Sequence, residues 1–447
     1  MKNKNFSVFF QNKIKKFNKT IQVDSDKSIS IRTFLIGAIS QKTSKIKNIL
    51  ESEDVFSTIK CLKKLGVKIK KNKKKDYSIY GKGLGSLVSK KNHICNCGNS
   101  GTLARLLIGI LSTTPDIKVK IKGDHSLNKR NMSKLINTMN EFGAEFYPKN
   151  KFNFPLSMLS SDMPLAINYK AGVSAQLKSA VMLAGLNSFG NTNIIETKQS
   201  RNHTENILLK SPDVISVKKN NIKIYGKKNL KPLNILVPGD PSSAAFYTSL
   251  ALFTKGSSLK IKNIGLNSRR IGFYKILKLH GANIKFKNLK KVNNELVGDI
   301  YVKYSKLKSI NASSKFYPST ADEYPILFVV AALTSGVSTF KGIRDLANKE
   351  SSRAREMQKI LSQIGIKSSL SKDKIKIYGK NEIKKMKKTI KVKNLGDHRI
   401  CMATSCLSLL TGIKSHIKNF ETVNTSSPSF LKLVLKLGGK FEIKKTI

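Results

Sequence analysis

Residues 59–69, IKCLKKLGVKI, join two local patterns of apolar residues. The first part has the apolar spacing of an amphipathic helix, and the last part has the alternation of a strand. Gly66 lies between them, and glycine readily adopts the left-handed conformation that ends many helices. The segment therefore predicts a short surface helix, capped by glycine, that leads into a charged strand.

This helix–glycine–strand pattern recurs along the chain. A weaker copy at 207–224 has no glycine at the turn, and the interval from Gly143 to Gly281 is about twice the others, which leaves room for it. Six units of about 70 residues are predicted. Strands often follow, as at 76–80 and 374–378. The other copies are LINTMNEFGAEF at 135–146, ILKLHGANIKF at 276–286, MQKILSQIGIK at 357–367 and FLKLVLKLGGKF at 430–441.

A second set of six helices is predicted between these units, each more apolar and each opening on small polar residues. One such opening is most simply an N-cap. Six such openings at regular intervals indicate helix N-termini that bind anions, because free backbone N–H groups and the helix dipole favour negative charge. The segments are DKSISIRTFLIGAIS at 26–40, GNSGTLARLLIGILS at 98–112, GVSAQLKSAVMLAGL at 172–186, GDPSSAAFYTSLALF at 239–253, STADEYPILFVVAAL at 319–333 and GDHRICMATSCLSLL at 396–410.

Length and composition indicate a globular protein of two or three domains, with 447 residues and 40% hydrophobic content. No apolar run reaches the roughly 18 residues of a membrane span, and residues 1–20 lack a secretory pattern. We expect a soluble, cytoplasmic, monomeric protein. Five cysteines do not form a disulfide framework. His93, Cys95 and Cys97 lack a second ligand pair at zinc spacing, so we expect buried thiols and no metal.

The net charge of +56 raises the possibility of a nucleic-acid partner. The excess is lysine, spread in runs such as 70–75 and 384–388, without aromatic interleaving or a zinc-finger spacing. We therefore interpret the lysines as solvated surface residues and expect no specific nucleic-acid partner. Arginine is rare by comparison: only ten of the 83 basic residues are arginine. Its planar fork grips phosphate or carboxylate with two hydrogen bonds, so arginines in polar motifs predict a polyanionic small-molecule ligand. Six lie in such motifs: Arg32, Arg105, Arg130, Arg201, Arg353 and Arg399.

The order of these motifs resembles the 5-enolpyruvylshikimate-3-phosphate synthase (EPSP synthase) family over essentially the whole chain. Ala175 and the 200–205 run are similar to that family's second class. The resemblance implies the two-domain inside-out α/β barrel of enolpyruvyl transferases, with three repeated helix–strand units in each domain. It places the domains at 22–236 and at 238–447 with 1–21. The motifs are DKS at 26–28 with Arg32, GNSGT at 98–102 with Arg105, GD at 123–124 with Arg130, SAQ at 174–176, SRNHTE at 200–205, DEYP at 322–325, KES at 349–351 with Arg353, and GDHR at 396–399.

The resemblance also implies the reaction. The enolpyruvyl group of phosphoenolpyruvate passes to the 5-hydroxyl of shikimate 3-phosphate, giving 5-enolpyruvylshikimate 3-phosphate and phosphate, as in aromatic amino acid biosynthesis, with no cofactor and no metal. The implied shikimate 3-phosphate ligands are Lys27, Ser28, Arg32, Ser174, Ala175, Gln176, Arg201, Asp322 and Lys349. The implied phosphoenolpyruvate ligands are Lys27, Asn99, Gly101, Thr102, Arg130, Gln176, Arg353 and Arg399.

Asp322, Glu350 and Lys27 are the predicted catalytic residues. Asp322 is expected to begin an apolar helix and to take the proton of the attacking hydroxyl. Glu350 is expected to pass a proton to the methylene carbon. The i,i+3 spacing also allows a surface ion pair with Arg353, but the family match favours the proton-transfer role. Glu323 is expected to be a supporting carboxylate behind the site, and His398 an orienting or proton-relay group. Arg269, Arg270, Arg344 and Arg355 have no role that the sequence supports.

Three positions depart from the family pattern. Ser352 lies where many relatives carry Asp, Ser427 lies where an aromatic residue is usual, and Thr425 replaces a lysine that contacts phosphoenolpyruvate in some members. Two alternatives stay open. UDP-N-acetylglucosamine enolpyruvyl transferase shares the fold and the donor. That branch typically has Asn after the lysine and a cysteine on a mobile loop that carries an arginine. Here Ser28 follows Lys27, and Cys97 lies beside the glycine loop instead. The other alternative is a non-catalytic basic protein that binds nucleic acid.

Overall fold

The computed structural model describes residues 5–90, 92–383 and 389–445, so the lysine run at 384–388 lies outside the described residues. The chain forms two compact units. The N-terminal unit consists of Ser25–Pro238 and Lys291–Glu295. The C-terminal unit consists of the described residues of Met1–Asp24, Gly239–Lys290 and Leu296–Ile447.

The described residues contain fourteen α-helices and four 3-10 helices. The α-helices are α1 (Lys27–Ala38), α2 (Glu53–Lys64), α3 (Gly101–Ser112), α4 (His125–Asn128), α5 (Ser133–Glu141), α6 (Ala175–Gly185), α7 (His203–Leu208), α8 (Pro241–Phe253), α9 (Gly272–Leu279), α10 (Tyr317–Thr320), α11 (Tyr324–Ala332), α12 (Arg353–Ser362), α13 (His398–Thr411) and α14 (Phe430–Lys436). The 3-10 helices are Pro212–Val214, Ser314–Phe316, Arg344–Asn348 and Phe420–Thr425.

The N-terminal unit contains three four-stranded sheets with one topology. In each sheet the first two strands are parallel and the other neighbours are antiparallel. In order across each sheet, the strands are Asn234–Leu236, Thr43–Lys47, Asp76–Tyr80 and Lys68–Lys73; His93–Asn96, Lys118–Lys122, Leu156–Leu159 and Glu145–Tyr147; and Asn168–Ala171, Asn191–Glu196, Asn221–Tyr225 and Ile215–Lys218.

The C-terminal unit contains three more four-stranded sheets, each with one parallel pair at an edge. In order across each sheet, the strands are Asn18–Ile21, Ser258–Gly265, Glu295–Lys303 and Ile284–Val292; Asn311–Ala312, Gly336–Lys341, Lys374–Gly379 and Ser368–Leu370; and Ile390–Val392, Ser415–Ile417, Phe6–Phe10 and Phe441–Lys445. The six predicted repeat units are therefore confirmed as six sheets with their helices.

Each unit has three inner helices, which are buried on nearly all sides: α1, α3 and α6 in the N-terminal unit, and α8, α11 and α13 in the C-terminal unit. A helix that is apolar all round must be buried, and these six correspond to the six predicted apolar helices. Five begin at a side chain that accepts a backbone N–H bond of the first turn, as N-caps do. The five capping residues are Asp26, Ser100, Ser174, Asp240 and Asp397.

The start of α11 differs from the prediction. Asp322 lies in the turn between α10 and α11, two residues before Tyr324 begins the helix. Pro325 occupies the first turn, where its missing N–H leaves no helical bond unmade. The expectation that Asp322 begins the helix is therefore wrong.

We call α2, α5, α7, α9, α12 and α14 the outer helices, and all but α7 are followed within three residues by one of the recurring glycines. Gly66, Gly143, Gly281, Gly365 and Gly438 all have positive φ, between 73° and 97°. A side chain at these positions would strain the left-handed cap, so the predicted role of glycine is confirmed. In the weaker copy, the 3-10 helix Pro212–Val214 connects α7 to the next strand, and no glycine is required there.

Lysines occupy the solvent-facing positions of the sheets. In Lys118–Lys122, for example, Val119 and Ile121 are buried while Lys118 and Lys120 are exposed. This alternation is what a sheet with one solvated face requires. None of the described helices is long and apolar enough to cross a membrane.

Candidate active site

In the N-terminal unit, Arg32 ties α1 to α6 and α7. Its Nε donates to Thr204 Oγ1 at 2.8 Å, its Nη2 donates to Ser179 Oγ at 3.2 Å, and its Nη1 donates to the Ser28 carbonyl at 3.0 Å. The side chain is buried. The predicted ligand Arg32 is therefore also a structural link between the helices that carry Ser28 and Ser174.

A second link connects the first turns of α3 and α6. Arg105 Nη1 donates to Gln176 Oε1 at 2.9 Å, and Gln176 Nε2 donates to Thr102 Oγ1 at 2.9 Å. Gly101 lies beside these groups. A Cβ at that position would lie 2.7 Å from Arg105 Nη1 and 2.9 Å from Arg130 Nη1, so any side chain there would displace both guanidinium groups.

Two of the predicted phosphoenolpyruvate ligands of this unit, Asn99 and Arg130, are in direct contact. Arg130 Nη2 donates to Asn99 Oδ1 at 2.7 Å, and Asn99 Nδ2 donates to Asp124 Oδ2 at 2.6 Å. Lys27 forms an ion pair of 3.0 Å with Asp54. Lys27 thus begins α1, and Arg130 contacts Asn99 just before α3. Cations beside helix N-termini suit the binding of phosphate and carboxylate.

In the C-terminal unit, the buried guanidinium of Arg353 joins three carboxylates. It lies 2.6 Å from Glu350 Oε2, 2.9 Å from Asp397 Oδ2 and 3.5 Å from Asp322 Oδ1, and it is 1% exposed. Burial alone would lower the pKa of Arg353, but Asp397, Glu350 and Asp322 raise it above its ordinary value. The predicted pair of Glu350 with Arg353 is thus present, but its arginine is in the protein interior rather than on the surface.

Arg270 is a second central arginine of this unit, although no local sequence pattern predicts a role for it. It lies 3.2 Å from both Asp240 Oδ1 and Glu323 Oε1 and 3.7 Å from Asp322 Oδ2, and it is 2% exposed. Arg270 and Arg353 therefore connect the N-terminal ends of α8, α11 and α13, and Asp322 contacts both arginines.

A repeated position could have identified Arg270. Arg130, Arg201 and Arg270 each precede an outer helix (α5, α7 and α9) by two or three residues, and Arg353 begins the outer helix α12. Four of the six repeat units thus place an arginine at the start of the outer helix. This shared position groups Arg270 with three predicted ligands.

Arg399 differs from the other buried arginines. It is 3% exposed, its backbone N–H donates to Asp397 Oδ1 at 2.9 Å, and its guanidinium lies 5.9 Å from the centre of the Phe246 ring. Its Nε and Nη1 have no hydrogen-bond partner within the described part of the chain. A buried donor without a hydrogen-bond partner is energetically unfavourable, so these two N–H groups favour binding of an anionic ligand.

Two of the departures from the family pattern lie at buried positions. Thr425 is buried, and its hydroxyl donates to the Thr422 carbonyl at 2.7 Å. The Ser427 hydroxyl contacts that of Ser243 at 2.5 Å. Ser352 is the N-cap residue of α12 and makes no side-chain capping bond.

The cysteines are free thiols buried in the two cores. The hydrogen bond with Cys61 and burial raise the pKa of the Cys97 thiol well above its ordinary value, so it stays protonated. Within the residues described, no group of three or more His, Cys, Asp or Glu could hold a metal ion.

Comparison with known proteins adds independent information. The family model described as EPSP synthase (3-phosphoshikimate 1-carboxyvinyltransferase) matches residues 11–433. A 3-phosphoshikimate 1-carboxyvinyltransferase of Zymomonas mobilis is 37% identical over 430 residues, which cover 95% of this chain and 94% of the relative. One of Petrotoga mobilis is 37% identical over 423 residues, covering 94% and 97%.

Solved structures show the same relationship. The EPSP synthase of Acinetobacter baumannii superimposes with a TM-score of 0.85 at 33% identity, covering 98% of this chain and all of that one. The enolpyruvyl transferase NikO of Streptomyces tendae has a TM-score of 0.78 at 10% identity, a likeness of fold alone. The predicted fold class is confirmed. With a family match over most of its length and relatives of this identity, the chain belongs to the EPSP synthase family, the 3-phosphoshikimate 1-carboxyvinyltransferases.

Proposed function

We propose that the chain transfers the enolpyruvyl group of phosphoenolpyruvate to the 5-hydroxyl of shikimate 3-phosphate and releases phosphate. The observation that carries the proposal is that two carboxylates, Asp322 and Glu350, both contact the buried guanidinium of Arg353. The reaction needs one group that removes a proton and one that delivers a proton. These two carboxylates, held by one cation, meet that requirement.

The anion-binding residues support the same substrates. In the N-terminal unit, we assign shikimate 3-phosphate to Lys27, Ser28, Arg32, Ser174, Ala175, Gln176 and Arg201, and phosphoenolpyruvate to Lys27, Asn99, Gly101, Thr102, Arg130 and Gln176. In the C-terminal unit, we assign shikimate 3-phosphate to Asp322 and Lys349, and phosphoenolpyruvate to Arg353 and Arg399. Arginine forks and helix N-termini neutralise such charges without a metal or a cofactor.

The proposed chemistry has two steps. In the addition, the acceptor oxygen bonds to carbon 2 of phosphoenolpyruvate, its proton passes to Asp322, and Glu350 protonates carbon 3. In the elimination, the bond from carbon 2 to the phosphate oxygen breaks and carbon 3 returns a proton to Glu350. The departing phosphate takes the proton that Asp322 received. Lys27 is assigned to neutralising charge that develops on the donor.

Phosphate release tests this function. Purified protein is incubated with phosphoenolpyruvate and either shikimate 3-phosphate or UDP-N-acetylglucosamine, and phosphate is measured over time. We expect phosphate release when the acceptor is shikimate 3-phosphate, and none when it is UDP-N-acetylglucosamine. Release with the nucleotide sugar would support the alternative transferase, and no release with either, together with retention on DNA at physiological salt, would support a nucleic-acid-binding protein. A monomeric state and a cytoplasmic location belong to the same proposal.

Substitution of surface lysines should leave activity intact. Lys70, Lys73 and Lys74 are exposed, and interactions of exposed charges are largely screened beyond about 10 Å. We expect Gln at all three positions to weaken retention on heparin and to keep turnover within about threefold of wild type. Salt elution and steady-state kinetics measure the two effects.

Arg130→Lys should have the opposite profile. Lysine keeps the charge but loses the planar fork whose Nη2 donates to Asn99. We expect the KM for phosphoenolpyruvate to rise by about tenfold or more, the scale for loss of a charge-assisted hydrogen bond. Greater kinetic impairment in the triple lysine variant than in Arg130→Lys would contradict the assignment.

A further inference from the structure

A buried ion cluster lies beneath the proposed shikimate 3-phosphate residues of the N-terminal unit. Lys178, on the inner helix α6, is 0% exposed. Its Nζ lies 2.6 Å from Glu196 Oε1 and 2.5 Å from Glu205 Oε1. Both carboxylates are also buried. We call Lys178, Glu196 and Glu205 the lysine cluster.

Stability alone does not account for the lysine cluster. Removing charges from water is unfavourable, and apolar residues of similar volume often replace buried ion pairs with no loss of stability. Lysine, glutamate and aspartate are almost never fully buried unless they are paired. A role in fixing the arrangement of the surrounding segments is a better explanation of this cluster.

The members of the lysine cluster come from three different elements. Lys178 lies on α6, one turn after Ser174, whose carbonyl accepts the Lys178 backbone N–H at 3.1 Å. Glu196 ends the strand Asn191–Glu196, and Glu205 lies in the first turn of α7. The ammonium therefore holds the start of α6 against the segment 196–205.

That segment includes Arg201 and is fixed at several points. Ser200 donates to Glu196 Oε1 from both its backbone N–H, at 3.1 Å, and its hydroxyl, at 3.2 Å. Thr204 accepts from Arg32 Nε. Contacts on both sides of Arg201 thus lead back to Lys178 or to Arg32, so the position of Arg201 depends on them.

We propose that Lys178 is a positioning residue for the acceptor substrate. Acting through Glu196 and Glu205, it holds the 200–205 segment against the first turn of α6. Arg201 and Ser174 then bind shikimate 3-phosphate in one fixed arrangement. This inference rests on the proposed function and adds a specific route by which a fully buried residue controls acceptor binding.

The test is Glu205→Gln, which keeps the shape of the side chain and removes one charge. We expect the KM for shikimate 3-phosphate to rise by about tenfold, because small displacements of a binding group have large kinetic effects. The turnover number and the KM for phosphoenolpyruvate should stay within about twofold. Glu205→Asp keeps the charge but shortens the side chain, and it should show the same selective rise if Glu205→Gln does not fold.

A double-mutant cycle with Arg201→Ala separates positioning from general structure. If Glu205 acts through Arg201, Glu205→Gln should add less than about twofold to the KM of the Arg201→Ala variant, since coupled residues are non-additive. An unchanged KM in both Glu205 variants, equal losses for both substrates, or additive effects in the cycle would overturn the inference. Failure of the proposed function is distinct, because the wild-type protein would then release no phosphate with shikimate 3-phosphate.

Discussion

Glu350→Gln should lower turnover by about 100-fold or more, the scale on which enzymes lose activity when a general acid or base is removed. Gln keeps the size of the side chain and can still accept the hydrogen bond that Arg353 Nη2 donates at 2.6 Å. It cannot deliver a proton to carbon 3 of phosphoenolpyruvate. Substrate affinities, measured by calorimetry, should therefore stay close to those of the wild type while steady-state turnover falls.

Glu356→Gln is the matched control. Glu356 pairs with Lys359 at i,i+3 within the outer helix α12, at 2.8 Å, but Lys359 is 62% exposed. Exposed pairs of this kind contribute little, so this variant should turn over at close to the wild-type rate. Near-normal turnover in Glu350→Gln would remove Glu350 from the mechanism and leave its pair with Arg353 as a structural contact.

The largest expected effect on stability is that of Arg270→Met. Asp240 and Glu323 are both buried, and each lies 3.2 Å from the Arg270 guanidinium. Methionine fills part of the same volume but leaves both carboxylates without that cation. Breaking a buried ion pair from one side destabilises a protein by about 3–5 kcal/mol. Urea unfolding followed by circular dichroism should show a clear decrease in the midpoint.

Arg355→Met provides the comparison for Arg270→Met. Arg355 is exposed on α12, and surface substitutions away from special contacts change stability by about 0.5 kcal/mol or less. Equal unfolding midpoints for the two variants would show that Arg270 is not required to hold the carboxylates at the starts of α8 and α11.

The six repeat units could be predicted because their signals are local. Helical spacing, a C-terminal glycine such as Gly66 and an N-cap such as Ser174 each depend on a few neighbouring residues. The start of α11 could not be placed as well, because Pro325 fits either inside the first turn or before it, and the short helix α10 intervenes.

The buried charges could not be predicted in the same way. Arg270 pairs with residues 30 and 53 positions away in the chain, and only comparison of the repeats points to it. Lys178 is the one charged residue of the inner helix α6, and its partners Glu196 and Glu205 come from two other elements. Local patterns show which face of a helix is polar, but not which distant carboxylates neutralise a buried cation.

The proposed transfer is tested most directly by the identity and isotope content of the product formed in deuterated water. Wild-type protein is incubated with phosphoenolpyruvate and shikimate 3-phosphate in D2O, and the product is analysed by NMR and mass spectrometry. If carbon 3 is protonated in the addition and deprotonated in the elimination, 5-enolpyruvylshikimate 3-phosphate should carry deuterium at its vinyl methylene. Absence of this product, or a product with no deuterium at that carbon, would contradict the proposed addition and elimination.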